Sequence, residues 1–466
     1  MNTAIADLHS ALRTQFRGDL LLPGAGGYED ARRIWNGMVA RKPGLIARCA
    51  DTADVQAVVR AASSAGVLTA IRCGGHSLAG FGSCDGGLVI DLSRMRTVTV
   101  DAAARRAKFS GGCLLGTIDS ATQKAGLAFP AGVVSHTGAA GLVLGGGTGW
   151  LNRIFGLSCD NVEGFTLVVA DGSVLRADAH ENADLFWALR GGGGNFGVVT
   201  EFEAQLHPVA SVLFGAAYCA GDDLVRIVQA WRDFMPHAPD NLRWGISLTL
   251  APHTENIPVQ FRGLPVASQS AVWVGDLEQG RKQFEHVFSL CHPFAVTTQE
   301  LSFLSLQTMA DEEFPHGRRY YTKSGYFKML SDENIQRMVD SLKTIPSPAS
   351  QIELAYLGGA AGRLAAHDTA FGDRSSPFIL NLLGNWSEPK KDAANISWVR
   401  NLFADMKPSM TPGAYVNFMS GDEQDRVPEA YRERWDKLVA VKTHYDPQNF
   451  FRLNQNIPPR STTDSL

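Results

Sequence analysis

No run of about 20 apolar residues exists in this 466-residue chain to span a bilayer, so no membrane partner is expected. The N-terminal stretch MNTAIADLHSALRTQF lacks the basic start and apolar run of a secretory signal. Seven cysteines are present, at positions 49, 73, 84, 113, 159, 219 and 291, and no two form a CxxC pair. The odd count and scattered spacing predict reduced thiols in a cytoplasmic protein, with no disulfide framework and no metal site. Lys and Arg form no stripe and the net charge is −4, which gives no reason to expect a nucleic-acid partner.

Catalytic signatures are missing as well. There is no HExxH and no GxSxG, which removes the commonest metalloprotease and hydrolase readings. Gly145-Gly-Gly-Thr-Gly149 is followed by no Lys-Ser/Thr pair, so it is not a P-loop. Gly192 to Gly197 spells GxGxxG, but a helical pattern precedes it and a strand follows. A nicotinamide fingerprint needs the opposite order. Glycine itself is plentiful, with 47 residues that cluster near 74–87, 132–149 and 191–197. Such clusters mark turns or close backbone approach to a ligand.

The length predicts two or three cooperating units. LIARC reads as a strand and Asp51 as an N-cap. Val55, Val58, Val59 and Ala62 then form one apolar helix face, and LTAIR is a second strand. GLVIDL and RTVTVD add strands, LLGTIDSATQKAG a helix closed by Gly126, and FTLVVADGSVLRA a hairpin about Asp171-Gly172. ADLFWALR reads as a helix and FGVVTEFEAQLHP as a strand. Beyond Pro208 the texture changes. Helical patterns fall near 222–236, 279–289, 332–344 and 393–406, and strands at RWGISLTL, QIELAYLGG, PFILNLLGNW and AYVNF. This predicts an α/β unit followed by an α+β unit, the second built on an antiparallel sheet flanked by helices. The expected segments are 1–208, 209–430 and a returning tail, 431–466.

Arg72-Cys-Gly-Gly-His-Ser77 closes a strand. Its glycines strip side chains from the backbone ahead of His76, and exposed turn amides can cradle a pyrophosphate without a Walker motif. Four stretches in order then carry a family resemblance: IRCGGHSLAGFG, PAGVVSHTGAAGLVLGGGTGWL, ENADLFWALRGGGGNFGVVTEF and YDPQNFFRLNQNIPP. Together they resemble the berberine-bridge-enzyme-like branch of the vanillyl-alcohol oxidase superfamily of FAD-linked oxidases, from near residue 40 to 459. The resemblance implies a PCMH-type FAD-binding domain and a second, substrate-binding domain.

It further implies that His76 bonds covalently to the flavin 8α carbon. Many relatives add a cysteinyl bond from the second motif. Val134 stands there, so a single link is expected. Arg72, Cys73, Gly74, Gly75, Ser77 and Gly80 belong to the pyrophosphate turn. Gly132, Val133, Ser135, Thr137, Gly138, Gly141, Gly145, Gly146, Gly149 and Trp150 are placed on the flavin and ribityl side. Trp150, Trp187, Trp386 and Trp435 are scattered in a way that also fits core packing. Thr137 matches a position that influences oxygen access. Val198 and Val199 are expected at the adenine, and Asn454 and Asn456 in a tail over the flavin edge.

On the substrate side, Asn381, Leu383 and Asn385 are expected on one face of their strand. Asn381 matches a position where some relatives carry Glu or Gln. Tyr415 and Asn417 match a segment near the flavin, where relatives often have Tyr in place of Phe418. Tyr415 is the expected base, with a phenol pKa lowered by a nearby cation. Glu353 and Tyr356 should lie on opposite faces of their strand, Glu353 toward solvent. The implied reaction is oxidation of a small alcohol or sugar by hydride transfer to FAD, with O2 as the expected acceptor, in a monomer or homodimer; the hydroxyl of Thr137 leaves oxidase against dehydrogenase open. Amine or alkaloid oxidation is a rival, and a flavin-bearing drug-binding protein with little turnover is another.

Overall fold

Capping and an apolar stripe fix an early helix of the N-terminal half. In the computed structural model, which describes residues 3–365 and 367–461, the Asp51 side chain accepts from the Asp54 amide and starts the helix Thr52–Ser64. Val55, Val58, Val59 and Ala62 are fully buried along it. The helix links Leu45–Arg48 to Thr69–Arg72, yet these strands are not neighbours. Leu88–Asp91 lies between them, parallel to both, and Asp19–Leu21 adds an antiparallel edge. A five-stranded antiparallel sheet follows, in the order Val98–Asp101, Arg106–Ser110, Val198–Gln205, Val162–Val168, Val174–Asp178.

The other half carries a seven-stranded antiparallel sheet. Its order is Ala295–Ser302, Ser211–Ala220, Pro265–Trp273, Leu242–Leu250, Gln351–Tyr356, Phe378–Trp386, Arg319–Phe327. The helices Asp223–Phe234, Leu277–Phe288, Asp332–Ser341 and Asp392–Met406 pack on one face through a continuous apolar core. Ile352 and Leu354 belong to that core, so by the two-residue period Glu353 points to the other face. That face meets the first half, and every residue of Phe378–Trp386 is buried. The mixed class with an antiparallel second sheet is therefore the observed one.

Leu438, Val441 and Ile457 join the core of the five-stranded sheet, and Phe450 and Phe451 join that of the four-stranded sheet. The outermost parts of the expected segments, residues 1–2 and 462–466, lie outside the described residues. Among the described residues no helix is long and apolar enough to cross a membrane.

Two expectations are corrected. AYVNF is not a strand, because Val416–Phe418 forms a single 3-10 turn. Nor are all cysteines reduced, since Cys219 and Cys291 form a disulfide. They stand 72 residues apart and meet because the helix Leu277–Phe288 folds back over the strand carrying Cys219. Gln269 Nε2 lies 3.3 and 3.4 Å from the two sulfurs. Sequence spacing carries no trace of such a pairing. The other five cysteines are free.

Candidate active site

A cavity of about 500 Å³ lies between the glycine-rich turns of the first half and the open face of the seven-stranded sheet. One wall contains Arg72 to Ser77, Gly132 to Val134, Thr137, Gly138, Gly141 and Gly149. Here backbone meets backbone. A methyl on Gly138 would collide with the Gly74 amide nitrogen, and one on Gly149 with the Ala131 carbonyl. Gly75 has φ +70°, a conformation that favours glycine. Gly138→Ala should therefore destabilise the fold by about 1–3 kcal/mol and empty the cavity of cofactor. A thermal melt together with the flavin-to-protein ratio checks this.

His76 stands at the end of this wall. Its Nε2 is 2.8 Å from His136 Nδ1, while its Nδ1 has Thr137 Oγ1 at 3.4 Å. His316 approaches edge-on, with ring centroids 5.4 Å apart. Trp35 stacks on the His76 ring at 4.8 Å. Burial, and then the two neighbouring imidazoles, hold the His76 pKa well below the usual histidine range, so its ring is neutral. His136 and His316 went unnoticed in the sequence because only folding brings three distant histidines together.

Other expected cofactor residues do not line the cavity. Gly80 closes a turn onto Ser77. The Ser135 amide and hydroxyl both donate to Asp311, at 2.8 and 2.5 Å. Gly145 lies against the Asn417 carboxamide and Gly146 against the Phe371 ring. Trp150 sits beneath the Arg243 guanidinium, 4.6 Å from ring centroid to carbon. Val198 and Val199 alternate, so only Val199 reaches the cavity while Val198 joins the core beneath the helix Thr52–Ser64. In the tail, Asn454 lines the cavity and Asn456 does not.

The expected base is a further correction. Tyr415 is fully buried, and its hydroxyl accepts from the Gly147 amide at 3.0 Å and from Asn417 Nδ2 at 2.9 Å. No cation lowers its pKa; burial raises it. Asn417 also donates to the Leu142 carbonyl at 3.0 Å. Both residues line the cavity, and the pair clamps the glycine run 145–147. Asn381, by contrast, donates from Nδ2 to Glu353 Oε2 at 2.6 Å, and its Oδ1 is buried without a partner.

Glu353, expected in solvent, faces the cavity instead. Gln351 Nε2 donates to its other oxygen at 2.8 Å. Burial raises its pKa, which the Asn381 hydrogen bond only partly offsets. Tyr356, at the strand end, also lines the cavity, as does Arg243 from the neighbouring strand Leu242–Leu250. A single charged residue in each of the two strands Gln351–Tyr356 and Leu242–Leu250 is the signal the sequence offers for Glu353 and Arg243.

Comparison with known proteins agrees with this architecture. Residues 43–178 match a family model described as an FAD binding domain, and residues 414–458 match one described as berberine and berberine like. An FAD-linked oxidoreductase of Dictyostelium discoideum is 31% identical over 438 residues, covering 92% of each chain. The chain belongs to the berberine-bridge-enzyme-like FAD-linked oxidoreductases. A further relative in this family is the (R)-6-hydroxynicotine oxidase of Paenarthrobacter nicotinovorans, 29% identical over 462 residues, covering 96% of this chain and 98% of the relative. The solved BBE-like 1 protein of Physcomitrella patens superposes with a TM-score of 0.87 at 25% identity, covering 97% and 99% of the two chains. The cavity fits FAD on its own evidence. It offers a bare-backbone cradle for the pyrophosphate, and the buried Asn454 Oδ1 has no partner within the protein.

Proposed function

We propose that this enzyme oxidises a hydroxyl-bearing carbon of a small organic substrate, an alcohol or sugar. FAD would be joined by one bond to His76, and O2 would be the final acceptor. Bound FAD supplies a hydride acceptor. The remaining chemistry falls to the chain, and Glu353 carries the reading. It is a carboxylate on the sheet face opposite the glycine wall, held by Asn381 and Gln351 and set above the ordinary carboxylate range by burial. A group so placed takes the hydroxyl proton as the adjacent C–H bond gives up hydride and the carbonyl forms. O2 then takes up two electrons and two protons and leaves as hydrogen peroxide.

The arrangement at His76 supports the covalent bond. His136 engages Nε2 at 2.8 Å, whereas Nδ1 has only the longer 3.4 Å contact with Thr137 Oγ1 and is the nitrogen assigned to the flavin bond; the ring is neutral and so nucleophilic. Val134 lines the cavity where a thioether would otherwise form, which supports a single link. His76→Ala should release all flavin on acid precipitation. His136→Ala should leave part of it unattached, because the ring then loses the contact that orients it. Comparing flavin in pellet and supernatant checks both.

Substrate screening tests the function directly. Anaerobic addition of the right alcohol or sugar should bleach the flavin, and air should restore it with one peroxide per substrate. Absence of bleaching across alcohols, sugars and amines would count against catalysis and favour a binding role.

A further inference from the structure

Burying a guanidinium without a counter-ion is costly, and a protein keeps such a group only where something compensates it. Arg243 is a half-buried case, with its guanidinium facing the cavity rather than open solvent. It rises from the strand Leu242–Leu250 into the cavity, lies over the Trp150 ring, and donates from Nη1 to Ser270 Oγ at 2.8 Å. No ion pair among the described residues includes it. Desolvation brings its pKa down to about 10, so it remains a cation at neutral pH. The one carboxylate that influences it, Glu353, already accepts from Asn381 and Gln351. Burial moreover biases Glu353 toward its neutral form.

A second guanidinium deepens the imbalance. Arg153 also lines the cavity and is only 3% exposed. It is held by the carbonyls of Leu242 at 2.7 Å and Ala238 at 2.9 Å, neither of which neutralises charge. Its Nη1 is buried without a partner. The cavity thus receives two guanidiniums, Arg243 from the sheet and Arg153 from the helix Asn152–Phe155. Facing them from the sheet is one carboxyl with a raised pKa, while Asp240, which also acts on Arg153, is paired with Arg363.

We infer that the substrate carries an anionic group, a carboxylate, that pairs with Arg243 on the sheet wall and so holds the reacting carbon toward Glu353. This rests on the proposed function in taking the cavity as the substrate site. A carboxylate accepts two parallel N–H bonds from a guanidinium, and the Trp150 ring 4.6 Å away covers one side of it.

The test is binding of matched acids and amides to the FAD-loaded enzyme by titration calorimetry, using benzoate against benzamide and phenylacetate against phenylacetamide. The acid of at least one pair should bind about tenfold or more tightly than its amide. That preference should vanish in Arg243→Met and return in part in Arg243→Lys. No preference for either acid in the wild-type enzyme, weak or absent binding of both members included, overturns the inference. So does a preference that survives Arg243→Met. The wild-type ratio decides even if the Met variant does not fold. Flavin bleaching is read separately. Acids that outbind amides in an enzyme that no alcohol reduces would uphold this inference while removing the catalytic reading.

Discussion

Glu353→Gln is expected to lower kcat/KM by about a hundred- to ten-thousandfold, the range typical of losing a general base. Glutamine has the same shape and keeps an acceptor oxygen for Asn381 Nδ2, so the sheet wall should hold and flavin content should not change. What is lost is the capacity to take a proton. The pH profile makes the assignment specific. A base works when deprotonated, and burial puts the Glu353 pKa above its ordinary value. In the wild-type enzyme kcat/KM should therefore climb with pH through a point above the normal glutamate range, then level off. In the variant that limb should be missing. Peroxide formation followed across pH measures both. A variant that keeps wild-type kcat/KM and the same limb would remove Glu353 from the mechanism.

Lys442→Met should have the largest effect on the fold, about 3–5 kcal/mol, because it breaks a fully buried ion pair from one side. Lys442 Nζ donates to Asp446 Oδ2 at 2.6 Å, to the Asn195 carbonyl at 2.7 Å and to the Phe451 carbonyl at 3.0 Å. Both partners of the ion pair are 0% exposed. The lysine thereby pins the returning tail to the glycine turn 191–197. Asp446 in turn accepts from the amides of Phe450 and Phe451, both at 2.8 Å, and so shapes the turn that carries Asn454 to the cavity. Methionine keeps the volume but leaves Asp446 charged without its cation. The variant should melt well below the wild type and retain less flavin, as a thermal scan and the flavin-to-protein ratio will show. An unchanged melting temperature would mean that the tail is held by its apolar contacts alone.

These residues also show what a sequence makes legible. His76 with its glycines, the second glycine-rich motif and the Asn-rich tail are contiguous, and contiguous motifs survive as text. The helix stripe Val55-Val58-Val59-Ala62 and its Asp51 cap were readable because capping and periodicity are local. Glu353 was misread for a physical reason. Alternation shows that a strand has two faces, but not that both are covered, and here helices cover one and the nucleotide-binding half the other. Several strands were overlooked because their residues are small or polar. Ser211–Ala220 holds Gly215-Ala216-Ala217, and Ala295–Ser302 reads Val-Thr-Thr-Gln-Glu at its centre. A motif position does not report a side chain's surroundings: Tyr415 lines the cavity, but its hydroxyl accepts from Gly147 and Asn417 and burial raises its pKa. The pairing of Cys219 with Cys291 and the meeting of His76 with His136 and His316 arise only from packing across the fold.

The most direct test of the account is the visible spectrum of the purified protein before and after acid precipitation. Covalent attachment at His76 predicts a yellow protein whose flavin absorbance stays with the redissolved pellet, and passes entirely to the supernatant for His76→Ala. A protein that carries no flavin in either fraction, even after incubation with FAD, would contradict it.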